Sequence, residues 1–196
     1  FLGQQYDPAK GVLGFDVGAS FTVASYANAQ SSALNTFNYG LGEGMAELLE
    51  RTDIREITRW LQEPLGEEEA RDYLWQRSLY PQSIARTPGE LSLELAAVRQ
   101  ILHLAMRDLT VRGALPTTRF EPIVISGSAL SRTVTPVQSL LTILDGIQPL
   151  GICPLILDKH GIVPVLGAIA EFNPLLAVQV LESTAFTNLA TVVNID

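Results

Sequence analysis

The sequence predicts an α/β fold, a mixed sheet with helices on its faces, and three observations carry that prediction. Segments near the start alternate apolar and polar residues as half-buried strands do. Two short, fully apolar runs further on read as strands covered on both faces. Helices opened by Thr-Pro signals lie before and between those two runs. The 196 residues suit one domain, 1–196, with an insertion. They carry 13 Lys+Arg against 21 Asp+Glu, a net charge of −8, with 47% hydrophobic and 17% charged residues. Disorder is excluded, and the negative balance disfavours phosphate backbones and anionic lipid, so neither a nucleic-acid nor a membrane partner is expected.

Gly11 to Phe15 is a short apolar strand leading into the turn Asp16-Val17-Gly18-Ala19-Ser20, and Phe21 to Tyr26 alternates as a second strand. Small polar residues from Asn28 to Ser32 turn the chain into a third, Leu34 to Tyr39, which completes an antiparallel meander. Behind Gly40-Leu41-Gly42-Glu43-Gly44, Met45, Leu48, Leu49, Ile54, Ile57, Trp60 and Leu61 keep helical spacing on one helix, ended by Pro64 and Gly66. The run Glu67-Glu68-Glu69 opens a further helix as a solvated first turn. Thr87-Pro88-Gly89-Glu90 is a capping box, and the stripe Leu91, Leu95, Val98, Leu102, Ala105, Leu109 behind it belongs to a helix laid across a sheet. Pro122 to Ile125 is the fourth strand, Thr135-Pro136-Val137-Gln138 opens a helix to about Leu144, and Pro154 to Asp158 is the fifth strand. Pro164 to Ala170 makes a last helix, and Thr184 to Ile195 reads as a strand, or as the start of whatever follows 184–196. The order is β-β-β-α-β-α-β-α, with an acidic helical insert over about 45–86.

Charge is uneven along this order. Glu43 to Arg77 holds ten acidic and five basic residues, whereas Val134 to Asp196 holds six charged residues in 63. The first block should be a solvated excursion and the second mostly buried. Cys153 is the one cysteine, set in an apolar run as a buried thiol, so no intrachain disulfide or cysteine zinc site forms. His103 reads as a packing residue on the long helix and His160 as exposed. The longest apolar stretches fall short of the roughly 20 residues that cross a bilayer. No signal peptide is legible, and with Phe1 first the chain reads as an excised piece of a cytoplasmic protein.

Three small-residue turns collect on one edge of the expected sheet. In Asp16-Val17-Gly18-Ala19-Ser20-Phe21-Thr22, Gly18 lets amides turn toward an anion, Asp16 suits a magnesium ion held through water, and Thr22 adds a hydroxyl. Gly40, Gly42 and Gly44 precede a helix N-terminus of the kind that faces anions. Gly127-Ser128-Ala129 follows the fourth strand, where a missing side chain lets a flat ring approach the backbone. Each turn alone has a plain reading, as a hairpin, a loop before a helix or a strand end.

In this order they resemble the second half of the actin-like ATPase superfamily, with its ribonuclease H-like sheet. Asp16 to Thr22 looks like its second phosphate hairpin, Ile123 to Ala129 like its adenosine motif, and Val165 to Ala170 like its second connecting helix. Ser20 and Ser128 stand where that superfamily usually has glycine. Gly14 to Thr22, Thr87 to Glu90, Ile125 to Ser128 and Val163 to Ala168 are most similar to the MutL-type proteins encoded beside cobalamin-dependent glutamate mutase, not the mismatch-repair proteins of that name. The resemblance implies ATP and magnesium as cofactors and half of a clamp whose N-terminal half lies elsewhere in the same protein. It further implies a chaperone that reactivates a cobalamin-dependent mutase, with no catalytic base nominated and no ATPase activity expected of this piece by itself. The low charge after Thr133 then reads as the face toward the other half, and the insert as a partner contact. Two readings from other classes stand beside it. One is a non-catalytic scaffold with a decayed nucleotide site; the other is a metal-dependent nuclease built on Asp16, opposed by the net charge and by Ser126 where a second carboxylate belongs.

Overall fold

A computed structural model describes residues 2–5 and 10–194. Ile195, at the end of the expected last strand, lies outside the described residues. The described elements run α1 (Leu2–Gln5), β1 (Val12–Val17), β2 (Thr22–Ala27), β3 (Ser32–Phe37), α2 (Met45–Arg51), α3 (Ile54–Thr58), α4 (Glu67–Leu79) and α5 (Pro88–Val111). They continue with β4 (Ile123–Gly127), α6 (Ser128–Ser131), α7 (Pro136–Ile147), β5 (Gly151–Asp158), α8 (Val163–Ala170), α9 (Pro174–Leu181) and β6 (Phe186–Asn194). The fold is mixed α/β, and one sheet takes the six strands in the order β3-β2-β1-β4-β5-β6. β1, β4 and β5 are parallel neighbours; β2 and β3 form the antiparallel meander, and β6 pairs antiparallel with β5.

Strand alternation sorts the sheet into two faces. Leu13, Phe15 and Val17, Ala24 and Tyr26, Ile123 and Ile125, and Cys153, Leu155 and Leu157 join one buried core with Ala97, Ile101, Leu104 and Leu109 of α5 and Ile143 of α7. Gly14, Asp16, Val124, Ser126 and Asp158 point to the other face, where α8 and α9 lie. Thr87 accepts the Glu90 amide at 3.1 Å and so caps α5, but the Glu90 carboxylate accepts the amide of Arg86, one residue before the cap, so the expected box is only half formed. The Gln138 side chain accepts the amides of Val134 and Thr135 at the head of α7.

Several elements differ from expectation. The helix read continuously from Met45 to Leu61 is two helices, because Asp53 leaves the helical conformation, accepts the Arg55 amide at 2.9 Å and starts α3 afresh. The insert is not a solvated excursion. Met45, Leu48, Ile54, Ile57, Ala70 and Leu74 belong to the main core, while the outer faces of α2 to α4, with Trp75 and Leu79 among their polar residues, meet solvent. α9 went unread although Asn173, whose side chain accepts the Leu176 amide at 3.1 Å, and Pro174 form a start signal. Asp16 and Val17 extend β1, so the turn is Gly18 to Phe21. The expected last strand is present as Phe186–Asn194, paired antiparallel with β5. His103 is exposed on α5 instead of packed, while His160 is exposed as expected.

The block after Thr133 is not mostly buried. Val134, Val137 and Leu141 near α7, Ile152 and Val193 on β5 and β6, and Val165, Phe172, Leu175 and Leu176 around α8 and α9 are exposed, Phe172 at 87%. Cys153 is fully buried, and burial pushes its thiol up to about 11. No described helix is long and apolar enough to cross a membrane.

Candidate functional site

The β1–β2 hairpin forms because Gly18 donates its amide to the Phe21 carbonyl at 3.0 Å and closes a four-residue turn. A Cβ on Gly18 would sit 2.8 Å from that carbonyl oxygen, so glycine is needed for close approach and not for a left-handed backbone. The amides of Ala19, Ser20 and Phe21 make no hydrogen bond among the described residues, and Ala19 and Phe21 are exposed. Three unengaged amides at a strand-to-strand turn are donors left available to a ligand.

Behind the hairpin lies the segment from Gly40 to Gly44. Leu41 donates to the Gly18 carbonyl at 2.9 Å, and Gly42 and Gly44 donate to the Ala19 carbonyl at 2.8 and 3.0 Å. These amides are consumed, so the segment buttresses the hairpin and does not present them to an anion as its position before a helix suggested. The glycines are required by contact: a Cβ on Gly40 would lie 2.6 Å from the Gly18 oxygen, and one on Gly44 2.4 Å from the Ser20 oxygen. Ser20 caps the arrangement from the other side, its hydroxyl donating to Glu43 Oε2 at 2.6 Å. Thr22 offers no ligand hydroxyl, because it is fully buried and donates to the Tyr39 carbonyl at 2.8 Å, tying β2 to the segment after β3.

The β4 turn meets this hairpin at the same edge. Val17 pairs with Gly127 in the β1–β4 register, and a Cβ on Gly127 would reach Val17 no closer than 3.4 Å. Ser128 is exposed at the start of α6, while Ala129 is buried beneath it. Gly127 and Ser128 thus stand on the rim beside the hairpin, with Ala129 supporting from below.

One level down, the register aligns Asp16, Ser126 and Asp158 across three adjacent strands on the α8 face. Asp16 is exposed and accepts the Ser126 hydroxyl on Oδ1 at 2.6 Å, which fixes the carboxylate and leaves Oδ2 to other partners. Asp158 is buried, its two oxygens accepting the amides of His160 at 3.1 Å and Val163 at 2.9 Å, and so anchors the start of α8. The three residues border a cavity of about 340 Å³ whose other walls include Gly14, Ser25, Val124, Val163 and Pro164. A second apolar cavity of about 180 Å³ shares Gly14, Ser25, Val124 and Val163 and continues under Leu166, Gly167 and Ala177. Among the nominated residues Asp16 lines the first cavity, whereas Gly18 to Thr22 and Gly127 to Ala129 are not among its walls. Ser126 and Asp158 were not nominated from sequence. Their signal is a polar residue ending an apolar strand, but only the register shows that they share a row with Asp16.

A family model described as MutL protein matches residues 7–185. The chain belongs to the MutL protein family. This is the family associated with glutamate mutase. A comparison with curated proteins gave no match. The match spans β1 to β5 of this MutL-family chain and ends just before β6, so hairpin, buttress and β4 turn all lie inside it. Among the described residues no group of three or more His, Cys, Asp or Glu side chains is placed to hold a metal ion.

Proposed function

We propose that this MutL-family chain is one half of an actin-like, ribonuclease H-like ATP-binding clamp, belonging to a chaperone that reactivates a cobalamin-dependent mutase. The observation that carries the proposal is the juxtaposition, through the Val17 to Gly127 register, of a hairpin with unengaged amides and a glycine-containing strand end. The strand order, with an antiparallel β2 between β1 and β3 and parallel β4 and β5 beyond, supports the same reading. The residues present fit a phosphate group at Ala19, Ser20 and Phe21, a hydrated magnesium ion at the uncommitted oxygen of Asp16, and an adenine ring over Gly127 and Ser128. ATP would supply a phosphoryl group whose loss alters how tightly the two halves close.

The remaining steps belong to this chain's own residues. Ser126 orients Asp16, the Gly40 to Gly44 segment holds the hairpin against displacement, and Gly127 keeps the strand end unobstructed. The exposed apolar side chains Val165, Phe172, Leu175 and Leu176 on α8 and α9 are the face offered to the other half of the clamp, where burial would exclude water from the edge. The insert faces outward with Glu63, Glu68, Glu69 and Asp72 around a groove that also includes Leu61, Leu65 and Leu93, and is the surface offered to the partner enzyme. Isothermal titration of ATP-Mg into the full-length protein tests the proposal. One-site heat that falls at least tenfold in affinity with Asp16→Asn supports it, and no heat in the wild type overturns it.

A second reading is favoured by the engagement of Thr22 and of the Leu41, Gly42 and Gly44 amides: a scaffold whose edge no longer takes nucleotide. It expects the same partner complex with and without ATP. The nuclease reading still wants a second carboxylate where Ser126 stands, and Asp158 on the next strand spends both oxygens on the start of α8.

A further inference from the structure

Helix α5 buries a carboxylate that the clamp reading does not use. Glu94 has no exposed surface, and donors from two separate parts of the chain converge on it. Tyr73 of α4 donates its hydroxyl to Oε1 at 3.1 Å, and Arg77 Nε of the same helix lies 3.2 Å from that oxygen. Arg132, just beyond α6, donates from Nη2 to Oε2 at 2.7 Å. Each arginine then continues outward. Arg77 donates to the Leu41 carbonyl at 3.1 Å, inside the segment that buttresses the hairpin, and also to Ser83. Arg132 donates from Nε to the Ser128 carbonyl at 3.0 Å, on the β4 turn.

Glu94 is therefore the middle of an unbroken chain running Leu41, Arg77, Glu94, Arg132, Ser128. Its ends are the two loops placed at the candidate edge, and α4 of the insert is one of its links. Two guanidinium groups share one carboxylate, and Arg77 Nε and Arg132 Nη1 are buried without a hydrogen-bond partner. The shared carboxylate is the one counter-charge both arginines touch, and without it the buried guanidinium of Arg77 and the partly buried one of Arg132 face each other as like charges. A shift of α4 cannot be absorbed by solvent there and must be passed to Glu94 or break a buried pair.

We infer that Glu94 is a positioning residue through which the insert sets the geometry of Gly40 to Gly44 and of Gly127 to Ser128, so that a protein docking on the insert changes the nucleotide edge. The inference rests on the clamp reading for what the edge binds; the mechanical link between the loops does not depend on it.

The test is hydrogen–deuterium exchange on the full-length protein carrying Arg77→Lys, Arg132→Lys or Glu94→Gln, with Arg51→Lys as control, since Arg51 pairs with Glu47 outside the junction. Lysine keeps the charge and loses the fork that grips two partners. Rates are scored relative to core amides of β4, which removes any change in global stability. Arg77→Lys is expected to speed exchange in 128–132 at least threefold, and Arg132→Lys to do the same in 40–44, while the control leaves both segments unchanged. Substitutions that alter only their own segment overturn the inference. If Glu94→Gln does not fold, urea unfolding of the lysine variants takes its place. A double variant whose unfolding constant departs at least tenfold from the product of the singles supports the junction, and agreement within twofold overturns it. ATP-Mg titration of the wild type is run in parallel: absence of heat removes the clamp reading and leaves the exchange result standing.

Discussion

Gly40→Ala tests the buttress behind the hairpin, the contact on which the candidate site's geometry rests. The new Cβ would lie 2.6 Å from the Gly18 carbonyl oxygen and 2.7 Å from that of Ala19, both backbone atoms of the turn. Restoring ordinary contact requires the two segments to part by about 0.6–0.8 Å, since normal carbon–oxygen contacts begin near 3.4 Å or slightly below. The hydrogen bonds at 2.9 Å from Leu41 and 2.8 Å from Gly42 span that same gap and would be stretched past useful length. Overpacking costs about 1–3 kcal/mol and each of the two stretched bonds about 1 kcal/mol, so a loss of about 3–5 kcal/mol is expected. Gly167→Ala provides the contrast: it lies in α8 with nothing within 4 Å of its Cβ position, and is expected to gain about 0.5–1 kcal/mol from helix propensity. Urea denaturation of both variants, read by tryptophan fluorescence and circular dichroism, gives the two values. A Gly40→Ala protein within 0.5 kcal/mol of wild type would refute the buttress.

Other outcomes follow from single contacts. Thr22→Val strands the Tyr39 carbonyl from its buried donor and should cost about 1–3 kcal/mol by the same denaturation assay, whereas a ligand-binding hydroxyl would cost affinity and little stability. Ile57→Ala should cost about 2–5 kcal/mol, as expected of a core residue and not of a solvated cap. Cys153 should resist iodoacetamide at pH 8 in the native state and react at once in urea. Its native value near 11 lies above the unfolded value of 9.0, so its contribution is whole below pH 9 and fades as pH rises toward 11. Asp53 is held down to about 2 by its hydrogen bonds to the side chain and amide of Arg55. Its capping contribution is therefore present above the unfolded value of 3.8 and lost as pH falls toward 2, and Asp53→Asn should remove that acid slope from the denaturation midpoint.

The meander, the long capped helix and the three turns at one sheet edge were legible because each is signalled within a few residues. Alternation marks β1 to β3, and Thr87-Pro88 marks α5. What escaped depends on partners distant in sequence. A glycine announces that something approaches closely, yet Gly40 shows only in three dimensions that the neighbour is the backbone of residues 18 and 19 and not an anion. Ser126 and Asp158 join Asp16 through strand register, which no local pattern encodes. The insert's charges outvoted its apolar spacing, although Ile54 and Ile57 hold positions as deep as any strand residue. A locally strong start signal at Asn173-Pro174 was passed over because the run before it had already been read as the final helix.

The split between a charge-rich insert and the apolar surface of α8 and α9 has a colloidal consequence. Ten of the 21 carboxylates lie between Glu43 and Arg77, while Phe172 and Leu175 stand 87% and 67% exposed in a stretch with hardly any charge of its own. Mutual repulsion between molecules thus comes largely from the insert, and their stickiness from the opposite end of the chain. Neutralising the insert's carboxylates should lower the salt concentration at which the protein self-associates, even where the fold is untouched. The same carboxylates would then also set how long the protein stays dispersed at a given concentration.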